Sequence, residues 1–416
     1  MMSKEKRRVP KLRFPGFTED WEQRKLGDFY TFKNGLNKEK VYFGYGDSIV
    51  NFTDVFHNRQ IYSSTLKGKV CVNKKELENY KVKEGDLFFT RTSETIDEIG
   101  FPAVVMEPME RVVFSGFVLR GRAEKYDPLV NIFKSYIFFT NNFRSEMKKK
   151  SSMTTRALTS GTALKEMYFS YPKDLEEQTK IGEILLRLDK IITLHQRKLD
   201  NLKLKKKALL QKLFPKNGER YPELRFPGFT DAWEQRKLSD ILVERNEQQV
   251  ETNEYPLMSF VQGHGVIPKG ERYDRSFLVL DQSKKYKRTE LGDFIYSSNN
   301  LETGSIGINK TGKAVISPVY SIFYGVSIGD SQFIGIMSLL PRFITKMIRF
   351  RQGVVYGQWR IHEKDFLDIS ILIPSEAERT KITKLILSIE ELITLHQRKL
   401  DHLQLQKKAL LQQMFV

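Results

Sequence analysis

The chain contains one framework twice, and this duplication limits what it can fold into. Leu12-Arg-Phe-Pro-Gly-Phe-Thr18 and the following Trp21-Glu-Gln-Arg-Lys-Leu26 recur within 224–238. Near the other end of each half, Leu194-His-Gln-Arg-Lys-Leu-Asp200 returns at 395–401, whereas the sequence between the matched ends differs. Self-similarity with a period of roughly 200 residues indicates two copies of a whole domain rather than a stack of small repeats.

Each half ends in a heptad pattern that predicts a long helix. Asp174 with Glu177, and Ser375 with Glu378, predict capping boxes at the two helix starts. Apolar residues then follow at alternating spacings of four and three, which is typical of helices that pack along each other. We expect the two helices to pack antiparallel, because an approximate two-fold axis would relate the two halves. The predicted interface residues of this helix pair are Ile181, Leu188, Ile192, His195, Leu199, Leu202, Ile382, Ile389, Ile393, His396, Leu400 and Leu403.

His195 and His396 occupy equivalent positions of the heptad pattern. A polar residue in such a seam commonly fixes the register of a coiled coil, and we expect that role here. Metal binding is the alternative interpretation. Because no Cys, Asp or Glu cluster with metal-ligand spacing accompanies these histidines, the sequence predicts no metal site.

The inserts between the repeated segments contain both helix and strand signals. Gly85-Asp-Leu-Phe-Phe89 and Gly292-Asp-Phe-Ile-Tyr296 correspond to each other and predict one buried strand in each half. Further strands are predicted at 70–72, 103–106, 111–119, 314–316 and 368–373. The predicted fold class is therefore α+β, with two mixed α/β domains joined by two long antiparallel coiled-coil helices in a pseudo-two-fold internal repeat.

The sequence divides into successive segments on this interpretation. The expected boundaries are a first mixed domain at 1–174, a first long helix at 175–213, a linker at 214–223, a second mixed domain at 224–374 and a second long helix at 375–416.

The charge of the chain favours a polyanionic partner. Its 69 Lys and Arg residues exceed its 51 Asp and Glu residues, which gives a formal net charge of +18. Lys and Arg release condensed counterions when they neutralise phosphates, so a basic chain of this kind is suited to nucleic acid. A soluble basic protein without such a partner is the alternative. The lone Cys71 and the absence of a membrane-length apolar run predict a soluble, cytoplasmic protein without a membrane partner.

No motif in the sequence predicts catalysis by this chain. Gly307-Ile-Asn-Lys-Thr-Gly-Lys313 comes close to a phosphate-binding loop, but Ala314 replaces the Ser or Thr whose hydroxyl would hold Mg²⁺. A hairpin turn is the expected structure of this segment. We therefore predict no catalytic residue, no metal site and no cofactor bound by the chain itself.

Basic, amide and aromatic side chains are interleaved in the predicted loops of both inserts. Arg can pair with guanine, Asn and Gln with adenine, and Lys chiefly with phosphates, so these residue types are suited to reading DNA. Solvated polar loops are the alternative interpretation. The candidates are Lys33, Asn34, Asn37, Lys38, Lys40, Tyr42, Arg91, Thr92, Ser93, Thr155 and Arg156 in the first half, and Ser298, Asn299, Asn300, Lys313, Arg351, Gln352, Tyr356, Gln358, Trp359 and Arg360 in the second.

The duplicated framework resembles that of the specificity subunits of type I restriction-modification enzymes. The resemblance rests on Trp21-Glu-Gln-Arg-Lys-Leu-Gly-Asp28, on its copy at 233–240, and on the helix start Leu175-Glu-Glu-Gln-Thr-Lys-Ile181. Arg379 stands in the second helix where the first has Gln178, a small departure from the repeat. The resemblance implies two target-recognition domains, each reading half of a bipartite double-stranded DNA site, with the helix pair setting the gap.

The family resemblance also implies a prokaryotic source and partners that carry the chemistry. These are two modification subunits, which transfer methyl groups from S-adenosylmethionine to adenine, and restriction subunits that use ATP and Mg²⁺. Because the two inserts differ, we expect unlike half-sites. The alternatives are a DNA-binding regulator or architectural protein without methyltransferase partners, a stand-alone methyltransferase or nuclease, and a protein scaffold.

Overall fold

Contacts divide the chain, in this computed structural model, into two units. Unit 1 comprises Met1–Gln196 with Arg398–Val416, and unit 2 comprises Arg197–Gln397. The structure describes residues 8–261, 265–268, 284–301, 305–354 and 358–416. These units do not coincide with the segments that the sequence suggests, because each long helix contributes its first part to one unit and its last part to the other.

The described helices include short ones within the inserts and one long helix at the end of each half. They are α1 Phe52–Val55, α2 Lys74–Tyr80, α3 Asn131–Ile137, α4 Asn141–Lys150, α5 Gly161–Lys165, α6 Leu175–Lys212, α7 Ile328–Met337, α8 Pro341–Ile348, α9 Glu363–Leu367 and α10 Glu376–Gln413. The long helices α6 and α10 each have 38 residues. No described helix is long and apolar enough to cross a membrane.

A five-stranded sheet forms the centre of unit 1. The strands are β1 Glu22–Lys25, β2 Tyr30–Asn34, β3 Phe43–Val50, β4 Gln60–Ile61, β5 Lys69–Val70, β6 Leu87–Thr90, β7 Thr92–Ser93, β8 Pro102–Val105, β9 Val112–Phe114, β10 Val118–Ala123, β11 Ser152–Met153, β12 Ala157–Leu158 and β13 Tyr168–Tyr171. The sheet order is β2-β10-β6-β8-β4, and smaller sheets have the orders β5-β3-β9 and β11-β12-β7. Every side chain of β6 is buried, as the apolar run in the sequence predicts.

Unit 2 has a similar centre. Its strands are β14 Glu234–Lys237, β15 Leu242–Glu244, β16 Gln248–Gln249, β17 Met258–Val261, β18 Gly265–Pro268, β19 Tyr286–Thr289, β20 Phe294–Tyr296, β21 Ile306–Ile308, β22 Ala314–Ile316, β23 Ser321–Gly325, β24 Gln352–Val354, β25 Gln358–Arg360 and β26 Ser370–Ile373. The described strands of its main sheet have the order β15-β23-β20-β21. The buried strand β20 therefore occupies the position that β6 has in unit 1. Mixed α and β units and the long helix at the end of each half confirm the predicted fold class.

The prediction of a single strand at 111–119 is wrong. This run forms two strands in different sheets, because β9 pairs with β3 whereas β10 pairs with β2 and β6. The chain turns between them, where the Val118 amide donates to the Ser115 carbonyl over 3.1 Å. Gly116 lies in this turn, and a Cβ there would come within 2.0 Å of the Asn37 side chain. A continuous apolar pattern does not reveal a turn of this kind.

The repeated Glu-Gln-Arg-Lys segments form equivalent strands in the two units. In unit 1, β1 pairs antiparallel with β13, the strand that leads into α6. In unit 2, β14 pairs with β26, which leads into α10. In each unit the duplicated segment is thus hydrogen-bonded to the strand that precedes the long helix.

The predicted capping boxes are only half formed. The Asp174 carboxylate accepts hydrogen bonds from the backbone amides of Glu176 and Glu177, so it caps α6 as expected. The Glu177 side chain instead turns inward and accepts two hydrogen bonds from Arg13, at 2.7 and 2.8 Å. Its almost complete burial explains the difference, because a buried carboxylate requires a charged partner.

Unit 2 repeats this arrangement. Ser375 caps α10 through a 3.4 Å hydrogen bond from the Glu378 amide. The Glu378 carboxylate pairs with Arg225 over 2.7 and 2.8 Å. In each unit the Arg of the first repeated segment and the Glu of the helix start therefore form a buried ion pair rather than a second cap, although 164 residues separate them in unit 1 and 153 in unit 2.

Candidate nucleic-acid interface

The first candidate surface lies at the end of β6 in unit 1. The loop after β6 carries Arg91, and β7 follows with Thr92 and Ser93. Strand β7 pairs with β12, so that Ser93 lies opposite Ala157 and Thr92 opposite Leu158. The exposed Arg156, just before β12, forms a 3.0 Å ion pair with Glu94. The structure thus brings together the 91–93 and 155–156 segments, which the sequence separates widely.

Arg91 is the side chain in this cluster that is available for a ligand. Its backbone amide donates to the Phe117 carbonyl over 3.1 Å, and its carbonyl accepts from the Thr159 amide over 3.1 Å. The half-buried guanidinium forms no hydrogen bond or ion pair with another residue that the structure describes. A fixed backbone and an unused guanidinium are suited to binding a base edge or a phosphate.

Asn37 lies beside this cluster, whereas Lys38 is engaged elsewhere. The Asn37 side chain is exposed and lies against Gly116, in the turn that precedes Phe117. The Lys38 ammonium donates to the Glu76 carboxylate over 2.6 Å and to the Cys71 carbonyl over 2.8 Å. We therefore attribute to Lys38 a structural role as well as any role in binding.

The remaining candidates of unit 1 lie on either side of these residues. Lys33 donates to the Asn79 carbonyl over 2.8 Å, and burial lowers its pKa, as do Arg120 and Arg122 nearby. Exposed positions are occupied by Asn34, Lys40, Tyr42 and Thr155. Tyr42 lies beneath the Lys38 ammonium, which is 4.6 Å from the ring centre.

The equivalent position in unit 2 carries a different set of polar groups. Ser298 and Asn299 follow β20 in a short 3₁₀ helix. The Asn299 side chain accepts a 2.6 Å hydrogen bond from the Trp359 amide, and Ser298 accepts a 2.9 Å bond from the Ile361 amide. The loop after β20 and the end of the β24–β25 hairpin are thereby joined into one surface.

Two large exposed side chains dominate this second surface. Trp359 is 49% exposed, and the exposed Arg360 lies 3.7 Å from Glu363. Gln352, on the paired strand, donates to Asp365 over 3.1 Å. Arg351 is half-buried immediately before this strand. Tyr356 lies outside the described residues, as do the side chains of Asn300 and Gln358.

Lys313 does not belong to this surface. It forms an ion pair with Glu254 and lies 5.5 Å from the centre of the Tyr255 ring. The Asn309 amide donates to the Asp293 carbonyl before β20 begins, whereas Ser298 comes after β20 ends. The loop that carries Lys313 therefore lies at the opposite end of that strand.

The segment 307–313 is a turn, as expected, but it is not a hairpin. The Asn309 side chain accepts from the amides of Thr311 and Gly312 over 2.9 and 3.2 Å, and it donates to the Gly312 carbonyl over 2.7 Å. Strand β21 before it pairs with β20, whereas β22 after it pairs with β19. The turn thus connects two sheets, an arrangement that the local sequence does not reveal.

The residues predicted along the helix pair form a continuous stripe of low exposure. All twelve are buried or half-buried, from Ile181 to Leu202 on α6 and from Ile382 to Leu403 on α10. His396 is 8% exposed, and His195 is half-buried. Neighbouring leucines outside the stripe, such as Leu194 and Leu204, are 63% and 66% exposed.

Equivalent ion pairs join the two helices within each unit. In unit 1, Lys407 of α10 pairs with Asp189 of α6, which also accepts a 2.8 Å hydrogen bond from the Tyr136 hydroxyl. In unit 2, Lys206 of α6 pairs with Glu390 of α10 over 2.7 Å, and Lys310 reaches the same carboxylate. Early residues of one helix therefore lie beside late residues of the other, which is antiparallel packing.

The heptad pattern does not predict the roles of Asp189 and Glu390. That pattern concerns apolar positions. Asp189 and Glu390, and likewise Lys206 and Lys407, nevertheless occupy equivalent positions of the repeat, which indicates a shared role for each pair. Each carboxylate also binds a side chain from the α/β part of its own unit. Asp189 and Glu390 therefore connect the helix pair to the α/β part of each unit.

Comparisons with known proteins agree on one family. The model of the type I restriction modification DNA specificity domain matches residues 18–204. The chain is 22% identical over 409 residues to a Methanocaldococcus jannaschii protein named as the type I restriction enzyme MjaX specificity subunit, and the match covers 94% of this chain and 92% of that protein.

The fold is also similar to that of a solved structure. The crystal structure of a type I restriction-modification system S subunit from M. genitalium matches with a TM-score of 0.62 and 12% sequence identity. The match covers 98% of this chain and 99% of that one. At this identity the likeness shows that the two chains share a fold.

Proposed function

We propose that the chain is a specificity subunit of a type I restriction-modification enzyme and that it reads a bipartite DNA site, with one half-site for each unit. The target-recognition domains on this proposal are residues 1–174 and 224–374, joined through the helices and the linker at 214–223. The chain selects the sequence and leaves the chemistry to its partners.

The observation that carries the proposal is the convergence of distant loops at the same position in both units. In unit 1, the 91–93 segment meets the residues before β12. In unit 2, Ser298 and Asn299 meet the hairpin that carries Trp359 and Arg360. Arg can read guanine edges, and exposed aromatic and amide groups can contact bases, so each surface has the groups needed for direct readout.

The two surfaces differ in chemistry, and this difference favours an asymmetric site. Thr90 ends the central strand of unit 1 and is followed by Arg91, whereas the equivalent Ser297 in unit 2 is followed by Ser298. A guanidinium and a hydroxyl cannot read the same base edge in the same way. We expect two unlike half-sites separated by a gap of fixed length, and we propose that the paired helices set this gap.

The partners on this proposal are double-stranded DNA, two modification subunits and restriction subunits. The modification subunits would carry S-adenosylmethionine and methylate one adenine in each half-site, and the restriction subunits would use ATP and Mg²⁺. The excess of basic residues supports the DNA partner, because a chain with a net charge of +18 attracts a polyanion.

Mapping methylated adenines in the source genome tests this function. The expected result is a bipartite, non-palindromic motif that disappears when the gene for this chain is deleted. A palindromic motif would contradict the expectation of two unlike half-sites. Failure of the tagged chain to copurify a methyltransferase would contradict the proposed complex and would favour a DNA-binding regulator.

A further inference from the structure

An apolar side chain projects into solvent at the same position in both units. Phe117, in the turn between β9 and β10, is 65% exposed, and Val319, in the turn between β22 and β23, is 68% exposed. Phe89 and Tyr296 occupy equivalent positions, because each is the fifth residue of the matching segments 85–89 and 292–296. Leu119 pairs with Phe89 and Ser321 pairs with Tyr296, so Leu119 and Ser321 are equivalent as well. Phe117 and Val319 each lie two positions before these residues.

Both side chains lie beside the surfaces described above. The Phe117 carbonyl accepts the Arg91 amide, and the preceding Gly116 contacts Asn37. In unit 2, β23 pairs with β20 up to Tyr296, and Ser298 and Asn299 follow directly. The turn before β23 therefore lies at the end of β20 where the polar groups of unit 2 converge.

Single exposed apolar residues are common on protein surfaces and need no explanation by themselves. Phe117 and Val319 are unlike such isolated residues, because they occupy the same position in the strand pairing of both units while the side chain changes from Phe to Val. The fold thus keeps one apolar position at the tip of the turn and varies its size and shape, as it varies the polar residues around it. Variation at a fixed position beside a basic or amide-rich surface is typical of a residue that discriminates between ligands.

The apolar group that DNA offers in its major groove is the C5-methyl group of thymine. Side chains such as Phe contact this methyl group, whereas cytosine and the purines present none there. We propose that Phe117 and Val319 each contact a thymine methyl group in the half-site read by their own unit. This inference rests on the proposed function and identifies two of its specificity-determining residues.

Replacing thymine by uracil tests the proposal, because uracil pairs identically and lacks only the methyl group. The protein would be the full chain in complex with its modification subunits, and the probes would be duplexes with uracil at each thymine of the mapped site in turn. We expect one substitution in each half-site to weaken binding about fourfold, the factor for one buried methyl group worth about 0.8 kcal/mol.

The variants assign each effect to its residue. In Phe117→Ala, the uracil effect should vanish in one half-site and persist in the other, and Val319→Ala should show the reverse. Leu204→Ala, at 66% exposure on α6, is the matched control and should leave both effects unchanged. Because Phe117 and Val319 are exposed, we expect unchanged melting temperatures.

Two outcomes would overturn this inference. One is that no uracil substitution weakens binding in a half-site, and the other is that the effect survives in the alanine variant. In either case, site-specific methylation by the complex would still support the proposed function. Loss of the bipartite motif itself would instead refute the function, so the two failures are distinguishable.

Discussion

Phe415 and Trp21 lie edge to face, with ring centres 6.1 Å apart and planes at 87°, although they come from opposite ends of the chain. Phe415 also stacks on Phe133 over 5.4 Å. In unit 2, Phe214 contacts Trp233 over 5.7 Å in the same way. The residues that follow each long helix therefore complete the core of the unit in which that helix ends.

Replacing Phe415 by Ala should destabilise the protein strongly. The side chain is 6% exposed, and removing a buried Phe typically costs about 3 to 5 kcal/mol through lost burial and the cavity left behind. Denaturant unfolding would measure this loss. Leu405→Ala, on the same helix but 65% exposed, is the control and should change the free energy of unfolding by less than about 0.5 kcal/mol. Equal effects of the two substitutions would argue against the role of Phe415.

Arg13→Ala should be far more damaging than removal of an exposed Arg. It would leave the Glu177 carboxylate, whose side chain is 1% exposed, without its charged partner, which typically costs about 3 to 5 kcal/mol. Arg24→Ala is the control, because Arg24 is exposed and pairs with Glu22 at the surface, where solvent screening leaves an ion pair little effect on stability. Adding Glu177→Gln to the Arg13 variant should restore part of the loss, and no recovery would contradict the explanation by an unpaired charge.

Glu390→Gln should weaken the protein in a pH-dependent way. Burial opposes ionisation of Glu390, but Lys206 and Lys310 outweigh it and hold the pKa of this carboxyl below its ordinary value. A lowered pKa in the folded state stabilises the protein above the unfolded pKa, and this contribution is lost as the pH falls through the folded value. The variant should therefore melt lower than the parent at neutral pH, and the difference should shrink in acid below the ordinary Glu range. The exposed neighbour Glu391 gives the control Glu391→Gln, which should melt like the parent at both pH values.

Arg91→Ala and Arg360→Ala should each impair recognition of one half-site. If the guanidinium pairs with a base, the loss is about 1 to 3 kcal/mol on the cognate half-site and is absent when that base is already changed. Competition binding with duplexes mutated in one half at a time would measure it. Arg24→Ala should bind every duplex as the parent does. A uniform loss on all sequences would identify the altered residue as a phosphate contact.

Inserting seven residues into both long helices should lengthen the tolerated gap without changing the half-sites. Insertions after Gln196 and after Gln397 keep the Asp189–Lys407 and Lys206–Glu390 pairs within their own units. Seven residues add about 10 Å of helix, which corresponds to about three base pairs of DNA. Methylation mapping of the variant would show the new gap. Altered half-sites with an unchanged gap would refute the proposal that the helices set the gap while the loops read the bases.

The sequence predicted the framework better than the recognition surfaces. The heptads located both long helices and their buried stripe because helix periodicity is local. The capping-box pattern misassigned the Glu177 and Glu378 side chains, since their partners Arg13 and Arg225 lie far away in sequence. Residue type alone does not separate Lys313 from Asn299, and an exposed apolar residue such as Phe117 resembles a core residue when it lies in a predicted strand. The partners and the exposure of such residues depend on tertiary contacts, which the local sequence pattern does not contain.

The order of synthesis acquires significance from the way the units are assembled. Unit 2 is one uninterrupted stretch of polypeptide, whereas unit 1 combines residues 1–196 with residues 398–416, which are synthesised after unit 2. The core of unit 1 therefore lacks Phe415 until residues 398–416 have been synthesised, and unit 2 is the first unit whose residues are all available for folding. A nascent chain stalled before codon 398 would expose Trp21 and Phe133, the aromatic side chains that pack on Phe415, to chaperones or to neighbouring molecules.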